Sequence, residues 1–443
     1  MTIVELKKKR VSAISLGCDK NRVDLEKMLY NIKNFGFEVV EDIQNAHILI
    51  VNTCAFITPA IKEAIDNILL CVKQKEFLCE KVIVTGCLPN RFSQQLENGL
   101  IEGVDAFIQV KDNDKIIDKI LSLYDLKEKY EFKNGRLLSN FPHFAYLKIS
   151  DGCDNGCAYC TIPRIRGRFK STPMPELLKE AKDLVKKGVK EIILVGQDTT
   201  RYGIDLYKQP KFVELIQEIS KIKELKWIRL LYCYPEMVDK RLLDEIKYNT
   251  KVCKYIDIPL QHVDDKILKD MNRRTSEDDV INLIKNIKQN YPEIAIRSTF
   301  ILGFPGETKK QFNKLLKFLQ EYKLNNVGFF PYCKEEKTKA YFMKNQVCNF
   351  VKKARVKKAE KLQERIMHSL NMNKIGSEVD IIIDYFSEDL GVFVARDMQN
   401  APDVDFNILI DSPNVVPGKL YRAKIIDYLS YDFKGEILYE YTK

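Results

Sequence analysis

The sequence predicts an α/β protein in three parts. Residues 9–125 should fold as an N-terminal parallel α/β sheet domain, 140–373 as a central open (β/α)6 partial barrel, and 374–443 as a small all-β barrel. Three observations lead there. Short apolar runs alternate with amphipathic helical stretches as far as residue 331, the pattern of parallel strands with helices on the sheet faces. Cysteines and polar turns gather at the carboxyl ends of those runs, where α/β sheets place their chemistry. From Glu378 the pattern changes to short alternating runs divided by turn residues, as in an antiparallel barrel.

A chain of 443 residues has ample core for two to four domains. Hydrophobic residues make up 45%, and no apolar run approaches the length of a membrane span. The start, MTIVELKKKR, is basic, but the apolar stretch after it is too short and strand-like for a signal peptide. The cytoplasm is the expected location, with no membrane partner. Twelve cysteines in a reducing compartment point to metal or redox use rather than disulfides. The net charge of +10 is uneven: residues 375–443 hold thirteen Asp/Glu against six Lys/Arg.

In the first part, strands are expected at 11–17, 46–52 and 81–86. Helices are expected through Asp24, Leu25, Met28 and Leu29, and from Pro59 to Val72, where Pro suits a first turn. Cys18, Cys54 and Cys87 then stand at three carboxyl strand ends, distant in sequence and adjacent in space. Each alone reads as a small buried hydrophobe; their shared topological position reads as a ligand set. Cys71 and Cys79 lie off this pattern and are assigned to the core. Residues 111–140 read as a helix and a linker.

The central part opens with the strand 145–150, which runs into Cys153-Asp154-Asn155-Gly156-Cys157-Ala158-Tyr159-Cys160. Three thiolates on one CxxxCxxC loop can hold three irons of a four-iron cluster and leave the fourth open. The competing reading is a structural zinc site, which usually needs a second CxxC-type pair. Further strands are expected at 191–196, 227–232, 255–260, 295–301 and 327–331, with helices such as 175–187 and 309–322 between them. Their ends are polar. His262 reads as a catalytic base or as a hydrogen-bonded structural residue, and Glu307 as a site residue or a helix-start residue. Helix 351–374 carries eight Lys/Arg against two Glu. It is either a solvated face or a surface turned to the ribosome or nucleic acid. In the last part, strands are expected at 379–385, 391–396, 405–410, 421–428 and 435–441.

With these residues in place, the chain resembles the radical S-adenosylmethionine enzymes, whose signature is the CxxxCxxC spacing. A three-cysteine domain before it and a small barrel after it resemble the methylthiotransferase family, which ends in a TRAM domain. The resemblance implies two [4Fe-4S] clusters. One, on Cys153, Cys157 and Cys160, chelates S-adenosylmethionine and yields a deoxyadenosyl radical. The other, on Cys18, Cys54 and Cys87, carries the sulfur, methylated by a second S-adenosylmethionine. It also implies that Tyr159, Gly196, Gln197, Gln261, Arg297, Thr299 and Gly303 line the S-adenosylmethionine pocket. No residue is assigned as a catalytic acid or base, and no role is assigned to Cys333.

Four stretches resemble the branch of the family that modifies an aspartate of the small-subunit ribosomal protein uS12: Val51–Cys54, Gly196–Asp205, Asp257–His262 and Ala401–Asp405. The other branch, acting on a tRNA adenosine, is the alternative. An acidic terminal barrel suits a basic protein substrate, free or on the ribosome, better than phosphate. The family also implies an electron donor such as flavodoxin or ferredoxin. Two departures stand out. Ala55 replaces the Gly common after the second cysteine, which is tolerable where the backbone needs no positive φ. Cys333–Thr338 replaces a Ser- and Gly-containing stretch. The target explains the cofactors: an unactivated C–H bond has no proton that a side-chain base can take, so a radical must abstract the hydrogen atom.

Overall fold

The structure, a computed structural model, describes residues 2–139 and 141–441. Asn140, the expected first residue of the central domain, and Thr442 and Lys443 at the end of the last lie outside the described residues. The chain divides into two compact units. One holds the N-terminal region up to Ser139 together with Asp151–Gly156 and Cys160–Lys170; the other holds Cys157–Tyr159 and the remainder.

The first unit is built on a five-stranded sheet: β1 (Arg10–Ser15), β2 (Glu38–Val39), β3 (Ile48–Thr53), β4 (Lys81–Gly86) and β5 (Ala106–Phe107), in the order β2-β1-β3-β4-β5. All neighbours pair in parallel. Strands β2 and β5 have two residues each, too few for a periodic signal. All six residues of β3 are buried, as expected of a strand covered on both faces. Its side chains divide by turns: Ile48 and Ile50 join the core containing Met28 and Ile120, while Leu49 and Val51 join the core containing Ile68 and Val84. Each such side chain contributes about 1.5–3 kcal/mol by leaving water. Cys71 and Cys79 sit in that second core. The expected linker is held down. Arg136 Nε donates to Glu26 Oε2 (2.7 Å), and Asn31 exchanges hydrogen bonds with the Lys133 backbone (2.7 and 3.0 Å).

In the second unit, six parallel strands run in sequence order: Phe144–Lys148, Glu191–Val195, Trp227–Leu230, Tyr255–Asp257, Ala295–Leu302 and Asn326–Pro331. They form two three-stranded sheets. The seam lies between the third and fourth strands, where one isolated bridge joins Ile228 to Val252 and the Asp257 carboxylate accepts the Tyr232 N–H (3.0 Å). A side chain there takes the place of a ladder bond. The open (β/α)6 arrangement is as predicted. Helix Lys309–Tyr322 begins with a capping box between Thr308 and Gln311.

The last five strands close a barrel: Glu378–Ser387, Val392–Asp397, Ile408–Ile410, Leu420–Leu429 and Asp432–Glu440. Its core includes Ile381, Ala395, Ile408, Tyr421 and Phe433. A buried ionic lattice ties this barrel to the strands. Glu191 takes Arg229 (2.6 Å) and Arg396 (2.8 Å); Asp384 takes Arg396 (2.6 Å) and His143 (2.7 Å). Such charges are tolerated in a core because each finds its partners.

Candidate functional site

The first cysteine site grows out of three strand ends in the first unit. Cys18 is the N-cap of helix Asp19–Phe35, Cys54 follows β3, and Cys87 follows β4. Gly17 and Gly86, each at φ +90°, let these ends approach. A Cβ on Gly17 would stand 2.6 Å from Cys54 Cβ, and one on Gly86 would stand 2.4 Å from the Thr53 carbonyl. Asn21, fully buried, binds two ends at once: Nδ2 donates to the carbonyls of Leu16 (3.0 Å) and Thr53 (2.9 Å). Its Oδ1 accepts from the Cys87 thiol (3.6 Å) and from Arg166. Ala55 is buried and is not among the residues with positive φ, so the substitution for Gly costs no backbone strain.

The three thiols lie close enough to influence one another's ionisation. Burial pushes Cys54 up to about 11, with smaller contributions from Cys87 and Cys18. Burial also raises Cys87, against the pull of Arg166. Burial disfavours the thiolates, and a metal centre would supply further positive charge as it displaced their protons. The carbonyl oxygen of the Asn52 side chain is buried there without a hydrogen-bond partner. Among the described residues, no group of three His, Cys, Asp or Glu is placed to hold a metal ion.

The second cysteine site is the loop itself. Cys153 donates its N–H to the Gly167 carbonyl (3.2 Å), and Cys160 Sγ accepts the Ile162 N–H (3.4 Å). In the second unit, Cys157 Sγ meets Tyr234 Oη (3.8 Å) and Arg273 Nη1 (3.9 Å). Arg273 stacks on the Tyr234 ring (4.4 Å) and donates to the Pro259 carbonyl (2.9 Å). Ala158 is threaded between the Met271 carbonyl and the Ala340 N–H (2.9 and 2.8 Å). Tyr159 packs edge-on to Phe304 (6.5 Å).

The expected pocket residues divide. Gln261, at φ +68°, exchanges backbone bonds with Thr299 (2.8 Å) and Ile301 (2.9 Å), so Gln261 and Thr299 are adjacent. Gly303 lies just beyond the same strand and donates to Glu307 Oε2 (2.7 Å). Gly196 lies against Ser150. The Ser150 Oγ and Gln197 Oε1 atoms are buried with no partner, a cost that a polar ligand would remove. Arg297 is placed differently. Its guanidinium pairs with Asp257 (3.1 Å) and Asp405 (3.4 Å), and Asp405 also accepts from Tyr255 Oη (2.7 Å). Ala401–Asp405 thus anchors to the central strands.

His262 is fully buried, its Nδ1 accepts the Asp264 N–H (3.0 Å), and burial pushes its pKa down to about 4. Its Nε2 is buried without a hydrogen-bond partner, 3.9 Å from Glu307 Oε2. Glu307 is held by Arg355 (2.7 Å), and Cys333 donates to Glu335 (2.9 Å). The basic helix, Asn349–Met372, has two sides: Lys352 and Arg355 turn inward, while Lys353, Lys357, Lys358, Lys361 and Arg365 are exposed. Sequence reasoning missed Asn21, Ser150, Arg166, Tyr234 and Arg273. For Arg273 the one cue was an Arg-Arg pair after a short helix.

Comparison with known proteins adds three family matches: uncharacterized protein family UPF0004 at residues 10–108, the Radical SAM superfamily at 147–319 and the TRAM domain at 375–438. A protein named ribosomal protein uS12 methylthiotransferase RimO from Clostridium botulinum is 41% identical over 97% of this chain and 98% of its own. Proteins of that name from Thermoanaerobacter sp. and Clostridium kluyveri are each 42% identical, over 97% and 98% of this chain and 100% of theirs. Among solved structures, the radical S-adenosylmethionine methyltransferase TsrM of Kitasatospora setae matches with TM-score 0.53 at 12% identity, covering 73% of this chain and 75% of that one. The cobalamin-dependent radical enzyme OxsB matches with TM-score 0.53 at 14% identity, covering 83% and 57%. At such identities these two speak for the fold alone.

Proposed function

The chain belongs to the RimO family of ribosomal protein uS12 methylthiotransferases, and on that premise we propose that it places a methylthio group on the β-carbon of a uS12 aspartate. It is an enzyme of the radical S-adenosylmethionine class. The observation that carries the assignment is the end-to-end match, at 41–42% identity, with enzymes of that one name.

Cys153, Cys157 and Cys160 would hold one [4Fe-4S] cluster, and Cys18, Cys54 and Cys87 a second. The buried thiols and the orphaned Asn52 oxygen fit a cationic centre at the strand-end site. When bound, such centres supply the electron that cleaves S-adenosylmethionine and the seat from which sulfur is delivered.

The residues of the chain do the rest. Ser150 and Gln197 offer unpaired polar atoms to S-adenosylmethionine. Gly196, Gln261, Thr299 and Gly303 present backbone beside it, and Tyr159 borders it. Arg297 supports the strand ends through Asp257 and Asp405. Arg273 and Tyr234 border the Cys157 sulfur. His262, buried and neutral, takes no proton from the substrate, and hydrogen abstraction asks for no base. The acidic terminal barrel attracts basic uS12. A flavodoxin or ferredoxin would supply electrons, and the cytoplasm, where ribosomes are, is the place of action. Among the described residues no helix is long and apolar enough to cross a membrane.

The test is mass analysis of uS12 peptides and of tRNA nucleosides from cells with and without the gene. Loss of a methylthio-aspartate in uS12 is the expected result. An unchanged uS12 with a missing methylthio-adenosine would transfer the enzyme to the tRNA branch.

A further inference from the structure

One short segment after the CxxxCxxC loop touches the strand-end cysteine site and Cys153. Arg166 stands six residues beyond Cys160, and its side chain is 1% exposed. Nη1 donates to Asp24 (2.7 Å) and Asp151 (3.0 Å), and Nη2 donates to Asn21 Oδ1. That oxygen also receives the Cys87 thiol (3.6 Å), and the Asn21 amide holds the ends that lead to Cys18 and Cys54. The guanidinium therefore sits at a side chain that joins all three strand ends. Its charge is felt at Cys54 and Cys87. The neighbouring residue faces the other way: the Gly167 carbonyl accepts the Cys153 N–H (3.2 Å). Asn90 fixes the segment by donating to the Ile165 carbonyl (2.7 Å), and Thr161 Oγ1 donates to the Phe56 carbonyl (2.9 Å).

From this geometry we infer that Arg166 is a positioning residue for the Cys18–Cys54–Cys87 site: it locks the three ligand ends through Asn21 and balances the charge of the thiolates. Within the first unit, the segment 161–168 is a strap held both at the strand-end cysteines and at Cys153. This role rests on the reading that the three cysteines hold an iron–sulfur cluster.

A cation beside a cluster favours its reduced, more negative state, so charge near the thiolates sets the reduction potential. Arg166 and Asp24 should act with opposite signs. The experiment uses the full chain carrying Cys153→Ala, Cys157→Ala and Cys160→Ala, so that iron reports on one site. Its reduction is followed by electron paramagnetic resonance against applied potential. Arg166→Gln should lower the reduced fraction at a fixed potential about tenfold, about 59 mV for a one-electron couple. Arg166→Lys should recover most of that shift, and Asp24→Asn should move the midpoint upward. A loaded cluster whose midpoint ignores Arg166→Gln and Asp24→Asn overturns the role of Arg166. Should Arg166→Gln not fold, the upward shift in Asp24→Asn decides alone, and its absence overturns the inference. If the triple-alanine parent binds no iron, the second cluster itself is wrong and this inference falls with it.

Discussion

The two cysteine sites are built in opposite ways. Cys153, Cys157 and Cys160 lie within eight residues of one loop. Cys18, Cys54 and Cys87 come from three strand ends and meet only because a parallel sheet aligns those ends. The loop site is a property of local chain, the strand-end site a property of a fold. A locally encoded site tolerates trouble elsewhere in the molecule. An assembled one depends on every contact that fixes the strand ends, and Asn21 and the two glycines are those contacts here.

The sharpest way to break this contrast is to remove one ligand from the loop. Cys157→Ala should abolish S-adenosylmethionine cleavage, read as 5'-deoxyadenosine, while iron at the strand-end site stays. Next comes Asn21→Ala, which removes no ligand but takes away the side chain that meets the Cys87 thiol. It leaves the Leu16 and Thr53 carbonyls short of donors, and should cost about 2–4 kcal/mol in denaturant unfolding. Iron should be lost from the strand-end site and kept on the loop. If both sites lose iron equally, the distinction between them fails.

Acid separates the regions further. His262 has a folded pKa pushed down by burial to about 4, against 6.5 in the unfolded chain. The folded state resists the proton, so its contribution is complete above pH 6.5 and is lost as pH falls toward 4. The loss is about 3 kcal/mol. His262→Asn keeps an acceptor for the Asp264 N–H and should flatten the stability profile across that window, as unfolding at several pH values would reveal. A smaller effect belongs to Arg273→Gln. It should lower the reduced fraction of the loop cluster about tenfold with no change at the strand-end site, measured by the same resonance titration. Smallest is Cys71→Ala, a core cysteine outside both triads. A loss of about 1 kcal/mol and full iron content are expected.

The same contrast governs what the sequence could reveal. The CxxxCxxC loop is legible because its spacing is its geometry. The strand-end triad is legible one step later, once alternating strands and helices fix a parallel sheet and place each cysteine at a carboxyl end. Helix 309–322 and strand 81–86 stand at their expected bounds because capping and apolar runs are local signals. What stayed hidden is pairing at long range. Arg166 finds Asn21 across 145 residues and Arg273 finds Cys157 across 116. No periodicity encodes a partner at that distance. Arg297, expected at the S-adenosylmethionine pocket, also pairs with Asp405 of the Ala401–Asp405 stretch, a partner that sequence alone did not show. The basic helix posed a choice between solvent and partner; burial shows that Lys352 and Arg355 belong to the interior.

The central claim is a division of labour between a loop that generates the radical and strand ends that deliver sulfur. Cys87→Ala tests it most directly, with 5'-deoxyadenosine and the mass of the uS12 aspartate peptide measured in one reaction. Deoxyadenosine should still be released while the peptide stays unmodified. A methylthiolated peptide from the Cys87→Ala enzyme would contradict it.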